Sequence, residues 1–226
     1  MSAILFDLDG TLVDSVPDLA AAANALLAEH GRPPLSPAQV TAMVGDGAAK
    51  LVERALSASG LAALPLAPAL ARVLSLYQAD ATTRTRPYPG VPDVLTALGA
   101  AGSRLAVCTN KPERATRAVL EGLGLARHFT VVLGGDSLAA RKPDPAPLLA
   151  ALDRLGAPRA AAAMVGDHRN DVLAAQAAGI PAVFARYGYG EATLGDLVPS
   201  AAINRFAELP AALRRLWVDR SPSSAR

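Results

Sequence analysis

The chain has 226 residues, of which 51% are apolar and 4% aromatic, and it carries a formal net charge of +2. This length predicts one large domain, or one domain with an insertion, and the composition excludes a disordered chain. The single cysteine, Cys108, excludes a disulfide framework and a thiolate zinc site, and the small net charge argues against a nucleic-acid partner.

Nothing in the sequence predicts a membrane protein. No uninterrupted apolar run reaches the roughly 18 residues that a transmembrane helix needs. The start, MSAILFDLDG, meets aspartates at once and lacks the basic region of a signal peptide. We therefore expect a soluble cytoplasmic protein with no membrane partner.

The first third of the chain begins with one short strand and continues as helices. Residues 2–6 form an apolar run that predicts a buried parallel strand. Asp14 or Ser15 is expected to cap a helix that runs to about Glu29. Gly and Pro then separate further predicted helices around 37–43, 47–59 and 65–83.

The rest of the chain alternates between strands and helices. Strands are predicted at 104–108, 130–134, 161–165 and 180–184, and helices at 91–101, 112–123, 145–155, 169–178 and 205–217. This alternation predicts an α/β fold, a doubly wound parallel sheet with a Rossmann-like core and an inserted α-helical cap. The predicted division is a core of 1–14 and 87–218, a cap of 15–86 and a disordered tail of 219–226.

Polar side chains follow four of the predicted strands. They are Asp7, Asp9, Thr109, Asn110, Lys142, Asp167 and Asp171. In an open parallel sheet, ligands bind at the carboxyl ends of the strands, so these side chains are candidates for one shared site. The lysine usage is also selective, because Lys50, Lys111 and Lys142 are the only lysines among 22 basic residues.

The residue types of this set indicate phosphoryl chemistry. Four aspartates at one sheet edge repel each other unless a cation or proton relieves them, and Mg²⁺ suits oxygen ligands beside a phosphate. Lys142, the Thr109 hydroxyl and backbone N–H groups near Asn110 would supply positive potential for a phosphoryl group. One carboxylate can act as the nucleophile, and another two residues away can act as general acid and then general base.

Four motifs in this order resemble the haloacid dehalogenase superfamily. They are DLDGTLVDS at 7–15, TN at 109–110, KP at 142–143 and GDHRND at 166–171. The resemblance implies a helical cap inserted after the first motif, as the pattern of elements also predicts.

The resemblance implies a role for each matching residue. Asp7 would be the nucleophile and a Mg²⁺ ligand, and Asp9 the general acid/base and a ligand through its carbonyl oxygen. Asp167 would be the other metal ligand, and Asp171 would orient a metal-bound water or Lys142. The phosphate would be held by Lys142, Thr109 and the Asn110 backbone.

Within the superfamily the chain most resembles the phosphoglycolate phosphatase family. The segments that carry this are VGDG at 44–47, LVERAL at 51–56, YPGV at 88–91, TNKP at 109–112 and YGY at 187–189. The resemblance implies hydrolysis of 2-phosphoglycolate to glycolate and phosphate. Two positions depart from the family pattern, since Asn is usual at Asp46 and Lys50 is often replaced by a non-basic residue.

The predicted cap holds two candidate substrate residues. Lys50 and Arg54 are four residues apart and share one helix face, where they could meet the carboxylate of a small anionic substrate. The alternative is a solvated helix face. Closure of the cap over the core is expected to occur about two short segments near 14–16 and 86–90.

Several other functions share these residues. A phosphatase of another small metabolite, such as a sugar phosphate or pyrophosphate, and a phosphosugar mutase use the same core. A phosphonate hydrolase would need a Schiff-base lysine, for which Lys50 is the one candidate in the cap. A non-catalytic binding protein on this fold is the alternative from a different class. The expected partner is a small phosphoester, and the chain is expected to be a monomer or homodimer.

The remaining notable residues have structural interpretations. Cys108 is read as a small apolar strand residue, and His168 and Asp136 as loop residues. Asp171 has an alternative role as an acidic residue in the first turn of a helix.

Overall fold

The computed structural model describes residues 2–219. The strands are β1 (Ala3–Phe6), β2 (Val13–Asp14), β3 (Arg86–Pro87), β4 (Arg104–Cys108), β5 (Val131–Leu133), β6 (Ala162–Gly166), β7 (Ala182–Ala185) and β8 (Ala201–Ile203). The helices are α1 (Val16–Glu29), α2 (Pro37–Thr41), α3 (Ala48–Ala58), α4 (Leu66–Asp80), α5 (Val91–Ala100), α6 (Glu113–Gly122), α7 (Ala146–Leu155), α8 (Arg169–Ala178) and α9 (Leu209–Asp219).

Six of these strands form one parallel sheet in the order β5-β4-β1-β6-β7-β8. The chain moves outward from β1 through β4 to β5, then returns to place β6 on the other side of β1. The strand order therefore reverses at β1, which is where ligands bind in open sheets of this type. The predicted fold class is confirmed.

The strand register brings the ends of three strands level. Phe6 at the end of β1 pairs with Val107 on β4 and with Val165 on β6. The residues that follow these strands therefore leave the sheet at the same edge. This alignment brings the candidate site residues to one edge of the sheet.

Side chains of β1 alternate between the two faces of the sheet. Ile4 and Phe6 belong to the apolar cluster that also contains the cap helices, whereas Ala3 and Leu5 face the cluster under α7 and α8. All four are fully buried, as expected for a strand covered on both faces. An apolar run without polar alternation is therefore required at this position.

The cap consists of α1 to α4, which lie between β2 and β3 in the chain. Helix α1 packs against α4 and α2, and α3 packs against α4. Strands β2 and β3 pair antiparallel, Val13 with Pro87 and Asp14 with Arg86, so the cap leaves and rejoins the core at one place. This arrangement supports the proposed division into a core of 1–14 and 87–218 and a cap of 15–86.

The structure differs from the predicted elements at several short segments. The two-residue strands β2 and β3 were not predicted, because a ribbon of this length has no readable periodicity. Strand β8 was not predicted either, since three residues that are partly exposed resemble a loop. A 3₁₀ turn, Phe206–Glu208, precedes α9, which therefore starts later than the helix predicted at 205–217.

The predicted disordered tail at 219–226 lies outside the described residues except for Asp219, at which α9 ends. Among residues 2–219, none of the helices has the length and hydrophobicity that crossing a membrane requires.

Candidate active site

A buried lysine lies between two aspartates at the carboxyl edge of the sheet. Lys142 Nζ is 3.1 Å from Asp7 Oδ1 and 2.5 Å from Asp171 Oδ1. Burial lowers the pKa of Lys142, but the charges of Asp171 and Asp7 outweigh burial, so the net pKa is raised. The ammonium therefore stays charged and links the end of β1 to the first turn of α8.

Asp171 has two roles in the structure. Besides accepting from Lys142, its carboxylate accepts a hydrogen bond from the His168 backbone N–H at 3.0 Å. His168 occupies the N-cap position of α8, and its Nδ1 accepts from the Asn170 N–H. Asp171 is therefore both an acidic first-turn residue and the partner of Lys142. His168, which was interpreted from the sequence as a loop residue, is the N-cap residue of α8.

Three carboxylates lie close enough to share a cation. Oxygens of Asp7, Asp167 and Asp171 lie within 4.8 Å of one another, and all three residues are buried. Burial raises the pKa of Asp7 to about 6, against the opposing effect of Lys142 and with added repulsion from Asp171. Burial also raises the pKa of Asp167 well above its usual range, with further contributions from Asp7 and Asp171.

These carboxylates fit a hard divalent cation. Their donors are all oxygens, which Mg²⁺ and Ca²⁺ prefer over nitrogen and sulfur ligands. The raised pKa values of Asp7 and Asp167 record the cost of gathering buried negative charge, and a cation would relieve that cost. The cluster in the structure includes Asp171, whereas the sequence-based ligand set has the Asp9 carbonyl in its place.

Asp167 is held by contacts on both of its carboxylate oxygens. The Thr11 hydroxyl donates to Oδ1 at 2.8 Å, and the Tyr189 backbone N–H donates to Oδ2 at 2.8 Å. A Cβ atom on Gly10 or on Gly188 would overlap the Asp167 side chain. Both positions therefore require glycine for Asp167 to reach this place.

The Asp9 side chain does not join the acidic cluster. It forms an ion pair with Lys111, whose Nζ is 3.1 Å from Oδ1 and 3.2 Å from Oδ2. Lys111 also lies over the ring of Tyr77, 4.3 Å from its centroid. Burial lowers the pKa of Lys111, but Asp9 and Tyr77 outweigh burial, so the net pKa is raised.

Thr109 and Asn110 follow β4 and are buried beside Asp7 and Lys142. The Thr109 hydroxyl accepts from the Lys111 N–H at 3.3 Å, and its hydrogen bond to Asp7 lowers the pKa of that carboxyl. The Asn110 side chain donates to the carbonyls of Lys142 and Gly45, at 2.9 and 3.1 Å. Asn110 therefore connects the core loop that carries Lys142 to the cap.

Lys50 and Arg54 do not line the cavity described below. Lys50 pairs with Glu53 at 2.8 Å on an exposed face, and its side chain is 48% exposed. Arg54 pairs with Asp46 at 2.5 Å and donates to the Met43 carbonyl. Both charges are paired with neighbours within the cap, so the structure does not bring Lys50 or Arg54 to the aspartates at the sheet edge.

The loop after β7 contributes contacts that the sequence analysis did not assign. The Tyr189 hydroxyl accepts from the Ser15 and Val16 N–H groups at 2.8 and 3.3 Å, and donates to Asp14. Ser15 is the N-cap residue of α1, as one of the two expectations had it, but its side chain makes no capping hydrogen bond, and the Tyr189 hydroxyl accepts from these N–H groups instead. Tyr187 donates to the Thr11 carbonyl. The only signal for this loop was its alternation of tyrosine and glycine at 187–190.

Two further residues behave as interpreted from the sequence. Asp136 accepts from the Glu113 N–H at 2.7 Å, so this loop acid caps α6. Cys108 is fully buried in the core, where burial raises the pKa of its thiol to about 12. A thiol in this state is not a nucleophile.

A cavity of about 60 Å³ lies between the cap and the carboxyl edge of the sheet. Its polar lining comes from the core and includes Asp7, Asp9, Thr109, Asn110 and Lys111. The cap contributes only apolar side chains, a tyrosine and backbone: Leu19, Val44, Gly45, Gly47, Ala48, Leu51, Val73, Leu74 and Tyr77. The site is therefore a reactive polar surface beneath a mostly apolar cover.

This fold and this set of strand-end residues define a class of protein. The family model of haloacid dehalogenase-like hydrolases matches residues 4–185, and the chain belongs to this family. The resemblance seen in the sequence motifs is confirmed.

Relatives of the chain carry a more specific name. A Rhodospirillum rubrum protein named phosphoglycolate phosphatase is 50% identical over 213 residues, which cover 92% of this chain and 88% of that protein. The Pseudomonas aeruginosa protein named phosphoglycolate phosphatase 1 is 43% identical, over 91% of this chain and 77% of its own length. The crystal structure of a predicted phosphoglycolate phosphatase from Haemophilus somnus matches with a TM-score of 0.87 and 34% identity, over 93% of this chain and 97% of that one.

Proposed function

We propose that this chain is a Mg²⁺-dependent phosphomonoesterase that hydrolyses 2-phosphoglycolate through an aspartyl-phosphate on Asp7. The observation that carries the proposal is the position of Asp7, whose buried carboxylate lines the cavity and lies 3.1 Å from Lys142. Two relatives named phosphoglycolate phosphatase, at 50% and 43% identity, support the choice of substrate.

In the first step the Asp7 carboxylate attacks phosphorus. The new bond joins a carboxylate oxygen to phosphorus, and the bond from phosphorus to the glycolate oxygen breaks with its electron pair staying on that oxygen. Asp9, two residues along the same loop, gives this oxygen its proton, so glycolate leaves as a neutral alcohol group. Phosphoryl transfer is thus divided into two easier steps.

In the second step water hydrolyses the aspartyl-phosphate. Asp9, now ionised, takes a proton from the water as its oxygen attacks phosphorus. The bond from phosphorus to the Asp7 oxygen breaks, which restores the Asp7 carboxylate and releases inorganic phosphate. Asp7 is again a free carboxylate and Asp9 is again protonated. Each turnover therefore consumes only the substrate and one water.

Two groups of residues would support these steps. Asp7, Asp167 and the Asp9 carbonyl would hold Mg²⁺, which supplies electrostatic stabilisation of the charge on the phosphoryl oxygens. Lys142, the Thr109 hydroxyl and the Asn110 backbone would bind the remaining phosphoryl oxygens. Asp171 would keep Lys142 in place, since it accepts from that ammonium.

A substrate panel tests the proposal. The purified protein is assayed with Mg²⁺ against 2-phosphoglycolate, sugar phosphates and pyrophosphate, with phosphate release ranked by kcat/KM. We expect 2-phosphoglycolate to rank first, chelator to abolish turnover and added Mg²⁺ to restore it. A higher kcat/KM for a sugar phosphate would overturn the substrate, and full activity in chelator would overturn the metal requirement.

A further inference from the structure

The cavity offers a buried cation that the phosphoryl chemistry does not use. Lys111 lines the cavity, and its side chain is 5% exposed. Among the described residues that line the cavity, it is the one with a cationic side chain. Lys142, the other buried lysine, contacts Asp7 and Asp171, and the proposed mechanism already assigns it to the phosphoryl oxygens.

We infer that Lys111 binds the second negative charge of the substrate and so determines its specificity. This inference rests on the proposed function and deepens it, since 2-phosphoglycolate carries a carboxylate two bonds from its phosphoester oxygen. It places charge recognition in the core, on the loop after β4, and not on the cap face that carries Lys50 and Arg54.

The surroundings of Lys111 fit a bound carboxylate. An ammonium has three N–H donors, and the structure gives Lys111 one carboxylate partner, Asp9, and the ring face of Tyr77. The Tyr77 hydroxyl is buried beside Lys111 and has no other hydrogen-bond partner among residues 2–219. A carboxylate beside Lys111 would accept from the ammonium and offer an acceptor to that hydroxyl.

The apolar cover makes such a cation necessary. A substrate carboxylate enclosed by Val44, Leu51 and Val73 loses its hydration, and a buried charge without a partner is strongly unfavourable. The cap supplies no cation to the lining, so Lys111 is the group that would pair with this carboxylate. A phosphate ester with a neutral tail would not form that ion pair. Discrimination between a carboxylate tail and a neutral tail would therefore depend on Lys111.

The competing role for Lys111 is to position Asp9 alone. In that case removal of the ammonium would weaken proton transfer to every alcohol leaving group equally. Substrates that differ only in the charge of the tail separate the two roles, because both require the same proton from Asp9.

The experiment compares Lys111→Met with wild type on 2-phosphoglycolate and 2-hydroxyethyl phosphate. We expect kcat/KM for 2-phosphoglycolate to fall at least about 30-fold more than for the neutral analogue. Lys50→Met is the matched control and should leave the ratio unchanged, because Lys50 is exposed and paired with Glu53. An equal loss of both substrates in Lys111→Met would overturn the inference and leave Lys111 as a positioning residue for Asp9.

A binding measurement separates this inference from the proposed function. Calorimetry with Mg²⁺ compares phosphonoacetate, which carries a carboxylate, with ethylphosphonate, which does not. We expect wild type and Lys111→Arg to favour phosphonoacetate, and Lys111→Met and Lys111→Gln to lose that preference. If wild type fails to hydrolyse 2-phosphoglycolate yet keeps this Lys111-dependent preference, the proposed substrate is overturned and the inference stands. No preference in wild type overturns the inference itself, and circular dichroism checks that each variant is folded.

Discussion

The charged side chains at the sheet edge of the core and those on helix α3 of the cap differ in burial. In the core, Asp7, Lys142 and Asp171 are buried and paired with one another at the sheet edge. In the cap, Lys50 and Arg54 pair with Glu53 and Asp46, and both basic side chains are at least 40% exposed. The buried charges of Asp7, Lys142 and Asp171 thus lie at the edge of the sheet, while the two basic residues of α3 stay at the surface of the cap.

The core and the cap therefore contribute differently to the site. Buried charges interact strongly and hold precise positions only where packed elements fix them, as the ends of parallel strands do. The cap instead contributes mostly apolar side chains to the lining of the cavity. We therefore expect core variants to change chemistry by orders of magnitude and variants at the edge of the cap to act through closure.

The largest effect is expected at Asp7, which belongs to the buried group of carboxylates formed with Asp167 and Asp171. Asp7→Asn keeps the size of the side chain but removes the nucleophile, so turnover should fall by more than about 10⁴-fold. Phosphate release under saturating substrate measures the loss. A variant that keeps a tenth of wild-type turnover would move the nucleophile to another residue.

The next effect concerns Asp9, which lines the cavity and pairs with Lys111. Asp9→Asn should retain metal binding, since the backbone carbonyl is unchanged, and lose about 10²–10⁴-fold in turnover of 2-phosphoglycolate. The loss should shrink for p-nitrophenyl phosphate, whose leaving group needs no proton. Equal losses for both leaving groups would contradict Asp9 as the general acid.

Much of this core site could be predicted from the sequence. A short apolar run followed by aspartate fixes both the strand and the edge at which Asp7 emerges, and the same holds for Asp167 after β6. Lys142 carried less local signal, because it lies in a loop, and its position rested on the family motif. Its ion pair with Asp171 fits the expectation that Asp171 orients Lys142, while phosphate binding by Lys142 stays a prediction.

The cap side of the site could not be predicted in the same way. Helical spacing showed that Lys50 and Arg54 share a face but not what that face meets, which depends on how α3 packs on α4. The Lys50–Glu53 pair is local and was readable as an i,i+3 contact. Lys111 had two signals, its place among only three lysines and its place in the TNKP segment at 109–112. Neither could show that its partner is Asp9, 102 residues away.

A third prediction tests whether the loop after β7 belongs to the core site. Gly188→Ala introduces a Cβ that overlaps Asp167 and the Gly10 carbonyl oxygen, so the contacts between this loop and Asp167 must change and Mg²⁺ affinity should fall about 10–100-fold. Titration of activity with Mg²⁺ measures the change. Gly99→Ala is the control, because its added Cβ meets nothing within 4 Å. Unchanged Mg²⁺ dependence in Gly188→Ala would show that the loop after β7 does not position a metal ligand.

The smallest effect is expected where the cap meets the core. The Asn170 amide donates to Asp46 Oδ1 at 2.8 Å and to the Gly45 carbonyl at 3.3 Å, so it joins α8 to the loop before α3. Asn170→Ala removes these hydrogen bonds, worth about 1 kcal/mol each, and should lower kcat/KM by about 5–30-fold. Because closure does not depend on the charge of the tail, 2-phosphoglycolate and 2-hydroxyethyl phosphate should lose equally.

Asn24 provides the matched control for this last prediction, because its amide also makes two hydrogen bonds but both stay within the cap. Its Nδ2 donates to the Leu35 carbonyl and its Oδ1 accepts from the Leu35 N–H, at 2.9 and 2.8 Å. Asn24→Ala should therefore lower the Tm of the protein while leaving kcat/KM near the wild-type value. If both variants lower kcat/KM equally, the loss reflects general destabilisation of the cap. A loss confined to Asn170→Ala, equal for both tails, would assign closure to the cap-to-core contacts and leave charge recognition to the core.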